Sequence, residues 1–270
     1  MKKISMYATL LFVVIISIFP IIWVIISSFK TNAEILNNPF SLPTSINFNA
    51  YIEVFEQYDM MLYTWNSFII STIASLIALL CFAMGAYVIA KYNFKGKNLF
   101  YALFTLTLLV PGHTKAQPIF SLIMNLDLYD KKSGLILVYI SAGMAISMFI
   151  LRNTFLSIPK ELNEAAEIDG ASFLRIFFTI NLPLAKPGLA TAGILMFLNN
   201  WNEYFYAMLL TSSNSNRTLP LALGFFNESF SYDYTKMFAA LTIAIVPGIL
   251  IYSFAQEQVQ QSVAATGIKG

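Results

Sequence analysis

Long apolar runs recur along this chain, and they constrain its fold more than any other feature. A transmembrane helix needs about 20 consecutive apolar residues. Six runs satisfy this requirement, at about residues 7–28, 66–90, 99–124, 134–151, 187–210 and 237–255. The third run is interrupted by Pro111-Gly112, and the sixth contains Pro247 and Gly248. The sequence therefore predicts an all-α integral membrane protein with six transmembrane helices in one domain, residues 1–270.

The composition agrees with a membrane protein. Hydrophobic residues make up 57% of the 270 residues and charged residues only 11%, whereas soluble domains have about 25% charged residues. A net charge of +2 without a basic patch gives no reason to expect nucleic acid as a partner. Cys81 is the only cysteine, which excludes an intramolecular disulfide and a cysteine-based zinc site. Lys2 and Lys3 precede an apolar run too long for a signal peptide, so we interpret it as the first span.

Lys and Arg are distributed unevenly between the predicted loops, and this bias predicts orientation. One side would carry ten of them: Lys2, Lys3, Lys91, Lys95, Lys97, Arg152, Lys160, Arg175, Lys186 and Lys269. The other side would carry five: Lys30, Lys131, Lys132, Arg217 and Lys236. Because the cytoplasmic side carries the excess, both termini and the loop between the fourth and fifth spans are predicted to be cytoplasmic.

That loop belongs to the longest polar stretch of the chain, Ser157 to Leu189. Ser157 and Pro159 predict the start of a helix, and Gly170 interrupts the helical pattern where a sharp turn is expected. A second amphipathic piece follows, with apolar residues at helical spacing: Phe173, Ile176, Phe177 and Ile180. Physical chemistry leaves two interpretations open. The hairpin is either an interfacial connector with its apolar face among the headgroups, or a docking element for a cytoplasmic partner.

Polar side chains inside apolar runs are costly and therefore indicate function. The third span contains a first cluster: His113, Lys115 and Gln117. The fifth span contains a second: Asn199, Asn200, Asn202 and Glu203, with Trp201 among them. Lys115 and Glu203 each lie 16 residues above the cytoplasmic ends of their spans, which places both about 24 Å up. They could pair, line a wet translocation cavity, or act structurally, with Lys115 snorkelling outward and Glu203 bonding two helices.

The hairpin sequence resembles the EAA loop of membrane subunits of ABC importers. The resemblance rests on these residues: Glu164-Ala165-Ala166, Asp169-Gly170-Ala171, Ile180, Leu182-Pro183-Leu184 and Pro187. Weaker matches to maltose-type carbohydrate permeases lie at Phe19-Pro20 with Ser28-Phe29-Lys30-Thr31, at Trp201-Asn202-Glu203 and at Gly267-Ile268-Lys269-Gly270. The resemblance implies the type I ABC importer permease fold and an ATPase-coupling loop at residues 157–187. The coupling residues that it implies are Glu164, Ala165, Ala166, Asp169, Gly170, Ala171, Phe173, Phe177 and Pro183.

The same resemblance implies a permease subunit of an ATP-driven, binding-protein-dependent sugar importer in a bacterial cell membrane. Its implied partners are a sister permease, a cytoplasmic ATPase dimer and an extracytoplasmic sugar-binding protein. ATP and Mg would bind the ATPase, because this chain has no phosphate loop around its Gly96-Lys97 pair; we expect no cofactor, metal or enzymatic activity of its own. A second hypothesis is an ion- or proton-coupled transporter that uses Lys115 and Glu203 as a charge relay. Neither hypothesis identifies the sugar.

Overall fold

A computed structural model describes residues 2–229 and 233–267, and these ranges contain helices and no strand. The α-helices are, in chain order, α1 Lys2–Ser27, α2 Asn32–Asn37, α3 Asn49–Gln57, α4 Met60–Lys91, α5 Lys97–Leu106, α6 Ala116–Asn125, α7 Lys132–Ala142, α8 Met144–Ser157, α9 Glu161–Ile168, α10 Phe173–Ile176, α11 Leu182–Leu184, α12 Lys186–Trp201, α13 Phe205–Leu210, α14 Leu219–Ser229 and α15 Tyr234–Gly267. Single 3₁₀ turns lie at Thr107–Leu109, Gly112–Lys115 and Asn214–Asn216, and Phe177–Asn181 is π-helical. The predicted all-α class is confirmed.

Three helices of the described ranges are individually long and apolar enough to span a membrane: α1, α4 and the Tyr234–Ser253 part of α15. Two bent pairs satisfy the same criterion when each counts as one span. α7 and α8 meet at 50°, and Phe173–Leu184 meets α12 at 81°. The candidate spans therefore number three to five, and the six-span total and the single domain stay predictions.

The third predicted span, residues 99–124, is broken in the middle. α5 and its 3₁₀ turn end at Leu109, Val110 is extended with φ −90° and ψ 112°, and Pro111 follows. Proline disfavours helical backbone at the residue before it and has no N–H to donate. α6 resumes only at Ala116. The predicted interruption at Pro111-Gly112 is confirmed, and the α-helical backbone is absent from Thr107 to Lys115.

One unit of the structure contains residues 2–64 with 219–229 and 233–247. Within it, the short helices α2, α3 and α14 lie outside the six predicted spans. α2 begins with a capping box: Glu34 N–H donates to the Thr31 hydroxyl, and Thr31 N–H donates to the Glu34 carboxylate at 2.8 Å. The Thr44 hydroxyl and the Thr31 N–H lower the pKa of Glu34 to about 2. The Thr31-x-x-Glu34 spacing was the sequence signal for this helix.

Lys30 secures the loop after α1 in the same unit. Its side chain is 0% exposed, and its Nζ donates to the carbonyls of Asn38 and Pro39 at 3.1 and 2.9 Å. The indole N–H of Trp23 donates to the same Pro39 carbonyl at 2.9 Å. A buried ammonium is tolerated only when such partners replace its water. Lys30 is therefore a structural residue as well as one of the charges counted for orientation.

The second unit contains residues 65–218 with 248–267 and carries the polar hairpin. Its core joins α4, α8, the hairpin and α12, with Tyr87, Leu151, Phe155 and Phe177 fully buried. α12 crosses α8 so closely that a Cβ on Gly188 would overlap the Thr154 side chain. Small residues allow this approach between membrane helices.

The predicted helix start at Ser157 is wrong. α8 continues through Ser157, whose hydroxyl donates back to the Thr154 carbonyl at 2.8 Å, so it is not available to cap a following helix. α9 begins at Glu161 without a side-chain cap. Lys91, at the end of α4, donates to the Ile158 carbonyl and holds the connection between the two helices.

Candidate functional site

The hairpin turns at Gly170 through a Schellman motif. Gly170 has φ +76°, its N–H donates to the Glu167 carbonyl at 3.0 Å, and Ala171 N–H donates to the Ala166 carbonyl at 2.9 Å. Nothing lies within 4 Å of the place where a Cβ on Gly170 would stand. The glycine is therefore required by the left-handed backbone and not by crowding. The predicted sharp turn is confirmed.

The hairpin has one exposed face and one face that packs on its own chain. Exposed members of the predicted coupling set are Glu164, Ala165, Asp169, Gly170, Phe173 and Pro183, while Ala171 is half-buried. Ile168, which the sequence analysis left out, is the most exposed large apolar side chain of the hairpin at 87%. An exposed apolar residue next to a tight turn is suited to insertion into a partner's groove.

Two of the predicted coupling residues do not reach the surface. Phe177 is 0% exposed and Ala166 is 8% exposed, and both face the chain's own core. Phe177 packs against Tyr87 and Phe155, with ring centroids 5.2 and 6.3 Å apart. The side chains of Phe177 and Ala166 therefore contact the chain's own core and not the exposed face of the hairpin. Phe177 instead anchors the second half of the hairpin.

A buried polar chain, which the sequence analysis missed, holds the two halves together. Asn181, 0% exposed, donates from Nδ2 to Asn163 Oδ1 at 2.8 Å. Asn163 donates in turn to the Tyr87 hydroxyl of α4 at 3.3 Å. We call Tyr87, Asn163 and Asn181 the hairpin anchor. The available signal was two asparagines on the otherwise apolar inner side of the hairpin, since buried amides must find partners.

The backbone around Asn181 is itself irregular. Residues 177–181 form a π-helical segment, which widens the helix by one residue per turn. The Asn181 side chain also donates to the carbonyl of Ile176, the residue just before this segment, at 3.3 Å. π-helical turns of this kind are rare and are frequently found at functional sites. Here the turn lets Phe177 and Asn181 both point into the core of the second unit.

A cleft of about 610 Å³, lined by both polar and apolar side chains, lies where two helix breaks meet in the second unit. His113 lines it from the break between α5 and α6, and Asn199, Asn202 and Glu203 line it from the end of α12 and the break before α13. The His113 ring contacts the Phe205 ring edge-on at 4.4 Å. The Tyr206 hydroxyl donates to the Gly112 carbonyl at 2.8 Å and connects the two breaks.

Glu203 is the best-bonded polar side chain of the cleft. Its carboxylate accepts the Tyr139 hydroxyl of α7 at 2.7 Å. It also accepts the N–H groups of Tyr206 and Ala207 at 2.7 and 3.1 Å, in the first turn of α13. A carboxylate at a helix N-terminus is stabilised by these free N–H groups and by the helix dipole. The structure thus confirms the helix–helix hydrogen bond considered for Glu203.

The other predicted cavity residues lie outside this cleft. Lys115 and Gln117 are exposed, and no ion pair joins Lys115 to Glu203 in the described residues. Asn200 is buried and donates to the Ser75 hydroxyl of α4 at 3.1 Å. Trp201 is buried and stacks on Phe197 at 5.8 Å. In the described residues, the Glu203 carboxylate bonds to Tyr139 and to the start of α13, and the charge pair with Lys115 that an ion-coupled mechanism would use is not formed.

The loop between α13 and α14 is held in place from two sides. Asp130 Oδ1 accepts the N–H groups of Ser212 and Ser213 at 2.9 and 3.0 Å, and the Ser213 hydroxyl at 3.0 Å. Asn66 of α4, fully buried, donates to the carbonyls of Ser215 and Arg217, both at 2.9 Å. We call this arrangement the loop clamp. Burial raises the pKa of Asp130, but the bonds from Ser212 and Ser213 outweigh it and leave that pKa lowered.

Comparison with known proteins shows which protein family has a sequence similar to that of this chain. Residues 84–265 match the family described as binding-protein-dependent transport system inner membrane component. The diacetylchitobiose uptake system permease protein NgcG of Streptomyces coelicolor is 35% identical, over 96% of this chain and 86% of its own length. The arabinooligosaccharides transport system permease protein AraQ of Halalkalibacterium halodurans is 33% identical, over 96% of this chain and 94% of its own.

The fold has a counterpart among solved structures. A crystal structure of a bacterial ABC transporter involved in the import of the acidic polysaccharide alginate matches with a TM-score of 0.81 and 26% identity, over 95% of each chain. The family match includes both the hairpin and the cleft, and its members are transport components and not enzymes. The resemblance to ABC importer permeases is thereby confirmed, with a multi-pass membrane location. This chain belongs to the family of inner membrane components of binding-protein-dependent transport systems.

Proposed function

We propose that this chain is a transmembrane permease subunit of an ATP-driven importer of mono- or oligosaccharides. A sister permease would complete the translocation path, a cytoplasmic ATPase dimer would bind ATP and Mg, and an extracytoplasmic binding protein would deliver the sugar. Support comes from the family and from two relatives named for diacetylchitobiose and arabinooligosaccharide transport. The alginate importer, which shares the fold, supports a carbohydrate as the transported substrate.

One observation carries the coupling part of the proposal: the hairpin exposes one face and bonds the other to a candidate span. Glu164, Asp169 and Ile168 lie on the exposed face beside the Gly170 turn. The inner face reaches α4 through the hairpin anchor. A partner that moves the exposed face would move α4 with it, because buried hydrogen bonds and packed rings do not deform gradually. The hairpin would thus transmit movements of the ATPase to α4 and the translocation path.

The cleft is our candidate for this subunit's part of the path. Non-helical backbone at membrane depth is tolerated where it lines a water-filled cavity, and transporters place substrate sites at such broken helices. The breaks at Pro111-Gly112 and Asn202–Tyr204 meet this description. Sugar hydroxyls need donors and acceptors such as Asn199 and Asn202, while Tyr204 and Phe205 offer aromatic faces.

The Lys and Arg bias supports an orientation with both termini and the hairpin in the cytoplasm. An ATPase that hydrolyses cytoplasmic ATP can reach the hairpin only from that side. Lys269, one of the charges counted, and the terminal match at Ile268–Gly270 lie outside the described residues.

The proposal is tested on the complex of this chain with its sister permease, ATPase and binding protein in proteoliposomes. We expect a sugar-loaded binding protein to stimulate ATP hydrolysis and to drive uptake of that sugar. Screening saccharides one at a time identifies the substrate. Uptake that follows an imposed proton or sodium gradient in the absence of ATP would refute the proposal and revive ion coupling.

A further inference from the structure

A second cavity, of about 440 Å³, lies at the connection between α4 and α5. Two cationic side chains line it, Lys97 at the start of α5 and Arg152 of α8, with the amides of Asn93 and Asn98 between them. None of its lining residues is acidic. The cavity shares no lining residue with the cleft around Glu203, and neither the coupling hairpin nor the proposed translocation path accounts for its charge.

Within residues 2–229 and 233–267, no ion pair neutralises the cations of this cavity. The Nε atom of Arg152 is buried and has no hydrogen-bond partner, although its guanidinium lies 4.4 Å from the centre of the Tyr101 ring. Lys97 bonds only weakly, through a 3.3 Å contact with the Asn93 side chain. Because Arg152 lines the cavity, its guanidinium can donate to an anionic ligand there, and hydrogen bonds between a guanidinium and an anion are strong.

The backbone adds positive potential to the same place. α5 begins after Gly96, which has φ +88°, and no side chain caps the helix. The first N–H groups of a helix lack internal partners and carry the positive end of its dipole. This contribution reinforces the two side chains, which by themselves define the charge of the cavity.

An exposed apolar stripe leads away from the cavity along α5. Leu99 lines the cavity and is 63% exposed, and Leu103 and Leu106 are each 52% exposed. The spacing of four and then three residues places all three on one helix face. A cationic cavity that continues into an apolar stripe matches the shape and chemistry of a phospholipid, with an anionic headgroup and acyl chains.

We propose that this cavity binds the phosphate of an anionic phospholipid, whose acyl chains lie along Leu99, Leu103 and Leu106. Charge complementarity favours a lipid with net negative charge over a zwitterionic one. Basic pockets between helices on the cytoplasmic side of a membrane bind such headgroups, and Lys97 lies on the side predicted to be cytoplasmic. The lipid would fix the connection between α4 and α5 at the membrane surface.

The test measures lipid retained by the purified transporter complex after delipidation and incubation with phosphatidylglycerol or phosphatidylcholine of identical acyl chains. Mass spectrometry of the intact complex counts the bound lipids. We expect phosphatidylglycerol to be retained preferentially. Lys97→Gln and Arg152→Gln should each weaken its retention about fivefold, the effect of one basic residue at a membrane surface, and Arg152→Lys should retain most of it.

Lys95→Gln is the matched control, because it removes the same charge from the same loop but Lys95 does not line the cavity. If circular dichroism shows that Arg152→Gln misfolds, Lys97→Gln alone tests the proposal, since Lys97 is not packed in the core.

The proposal is overturned if both lipids are retained equally, if Lys95→Gln weakens retention as much as Lys97→Gln, or if millimolar inorganic phosphate displaces the lipid. It is also overturned if the assembled complex retains no lipid there, which would assign the stripe to the sister permease. No outcome depends on which sugar is transported.

Discussion

Glu203 is the residue whose role changes most between sequence and structure. The sequence places it at the same height as Lys115, whereas its carboxylate accepts the Tyr139 hydroxyl and two N–H groups of α13. Its charge is therefore used to join α7 to the start of α13 beside the cleft. Lys115, 88 residues earlier in the chain, is not needed for this role.

We predict that Glu203 is energetically coupled to Tyr139 and not to Lys115. In double-mutant cycles, Glu203→Gln with Tyr139→Phe should show a coupling energy of about 0.5–3 kcal/mol in the free energy of unfolding, as expected for residues in contact. Glu203→Gln with Lys115→Gln should be additive within about 0.5 kcal/mol. Thermal or denaturant unfolding in detergent provides the measurement. Coupling to Lys115 alone would restore the charge-pair hypothesis.

Asp130 gives the loop clamp a defined pH dependence. Its pKa is lowered in the folded state, mainly by the Ser212 and Ser213 bonds acting against burial. A lowered pKa contributes stability that is present above the unfolded-state pKa, about 3.9 for aspartate, and is lost as the pH falls through the folded-state value. The clamp should therefore be intact at neutral pH and weaken in acid.

We predict that Asp130→Asn lowers the Tm of the complex at pH 7, and that the difference from the unchanged protein shrinks below about pH 4. The control is Asp127→Asn: Asp127 has the same φ of 54° as Asp130, whereas the hydrogen bonds from Ser212 and Ser213 go to Asp130. A scan of Tm against pH for the three proteins tests the sign. A constant difference between pH 7 and pH 3 would mean that the Asp130 charge contributes nothing to the clamp.

At the scale of the element, the two helical pieces of the hairpin meet at a fixed angle. The Gly170 turn sets that angle, and the hairpin anchor fixes the inner face to α4. Phe177 and Asn181 lie after the turn, so a substitution that changes the backbone conformation at Gly170 would displace both. The exposed Ile168 and Asp169 lie just before it.

We predict that Gly170→Val abolishes uptake and ATPase docking while the protein level stays near normal. A β-branched residue strongly disfavours φ +76°, whereas asparagine tolerates the left-handed region. Gly170→Asn, the matched control, should retain most of both activities, because no atom blocks a Cβ at this site. ATPase pull-down and sugar uptake in membranes with matched amounts of each variant give the result. Normal docking by Gly170→Val would reduce the hairpin to an interfacial connector.

At the scale of the whole molecule, the orientation in the membrane is open to direct measurement. Lys95 and Lys131 are both exposed, and the charge bias places them on opposite sides. We predict that a cysteine at position 131 is labelled from outside intact cells and one at position 95 is not. The background is Cys81→Ala, because Cys81 is exposed. Labelling of position 95 from outside would invert the topology and separate the hairpin from cytoplasmic ATP.

The sequence by itself determined the membrane class, the hairpin and its turn. These features depend on local chemistry: apolar length, the φ that Gly170 adopts, and a motif that runs without a gap from Glu164 to Pro187. The capping box of α2 was readable in the same way, from Thr31 and Glu34, and was overlooked. Pro111 indicated where the third span breaks. It did not indicate that the chain would stay irregular for several residues.

Only the tertiary structure decided which side chains meet. Asn181, Asn163 and Tyr87 are 18 and 76 residues apart along the chain, and their bonds exist only once α9, the π-helical turn and α4 have packed. Helical spacing placed Phe177 on an apolar face but could not say whether that face meets a partner or the chain's own core. Likewise, the height of Glu203 in the bilayer followed from counting residues. Its partner followed from the rotation of α7 about its axis, which a uniformly apolar helix leaves undetermined until neighbouring helices pack against it.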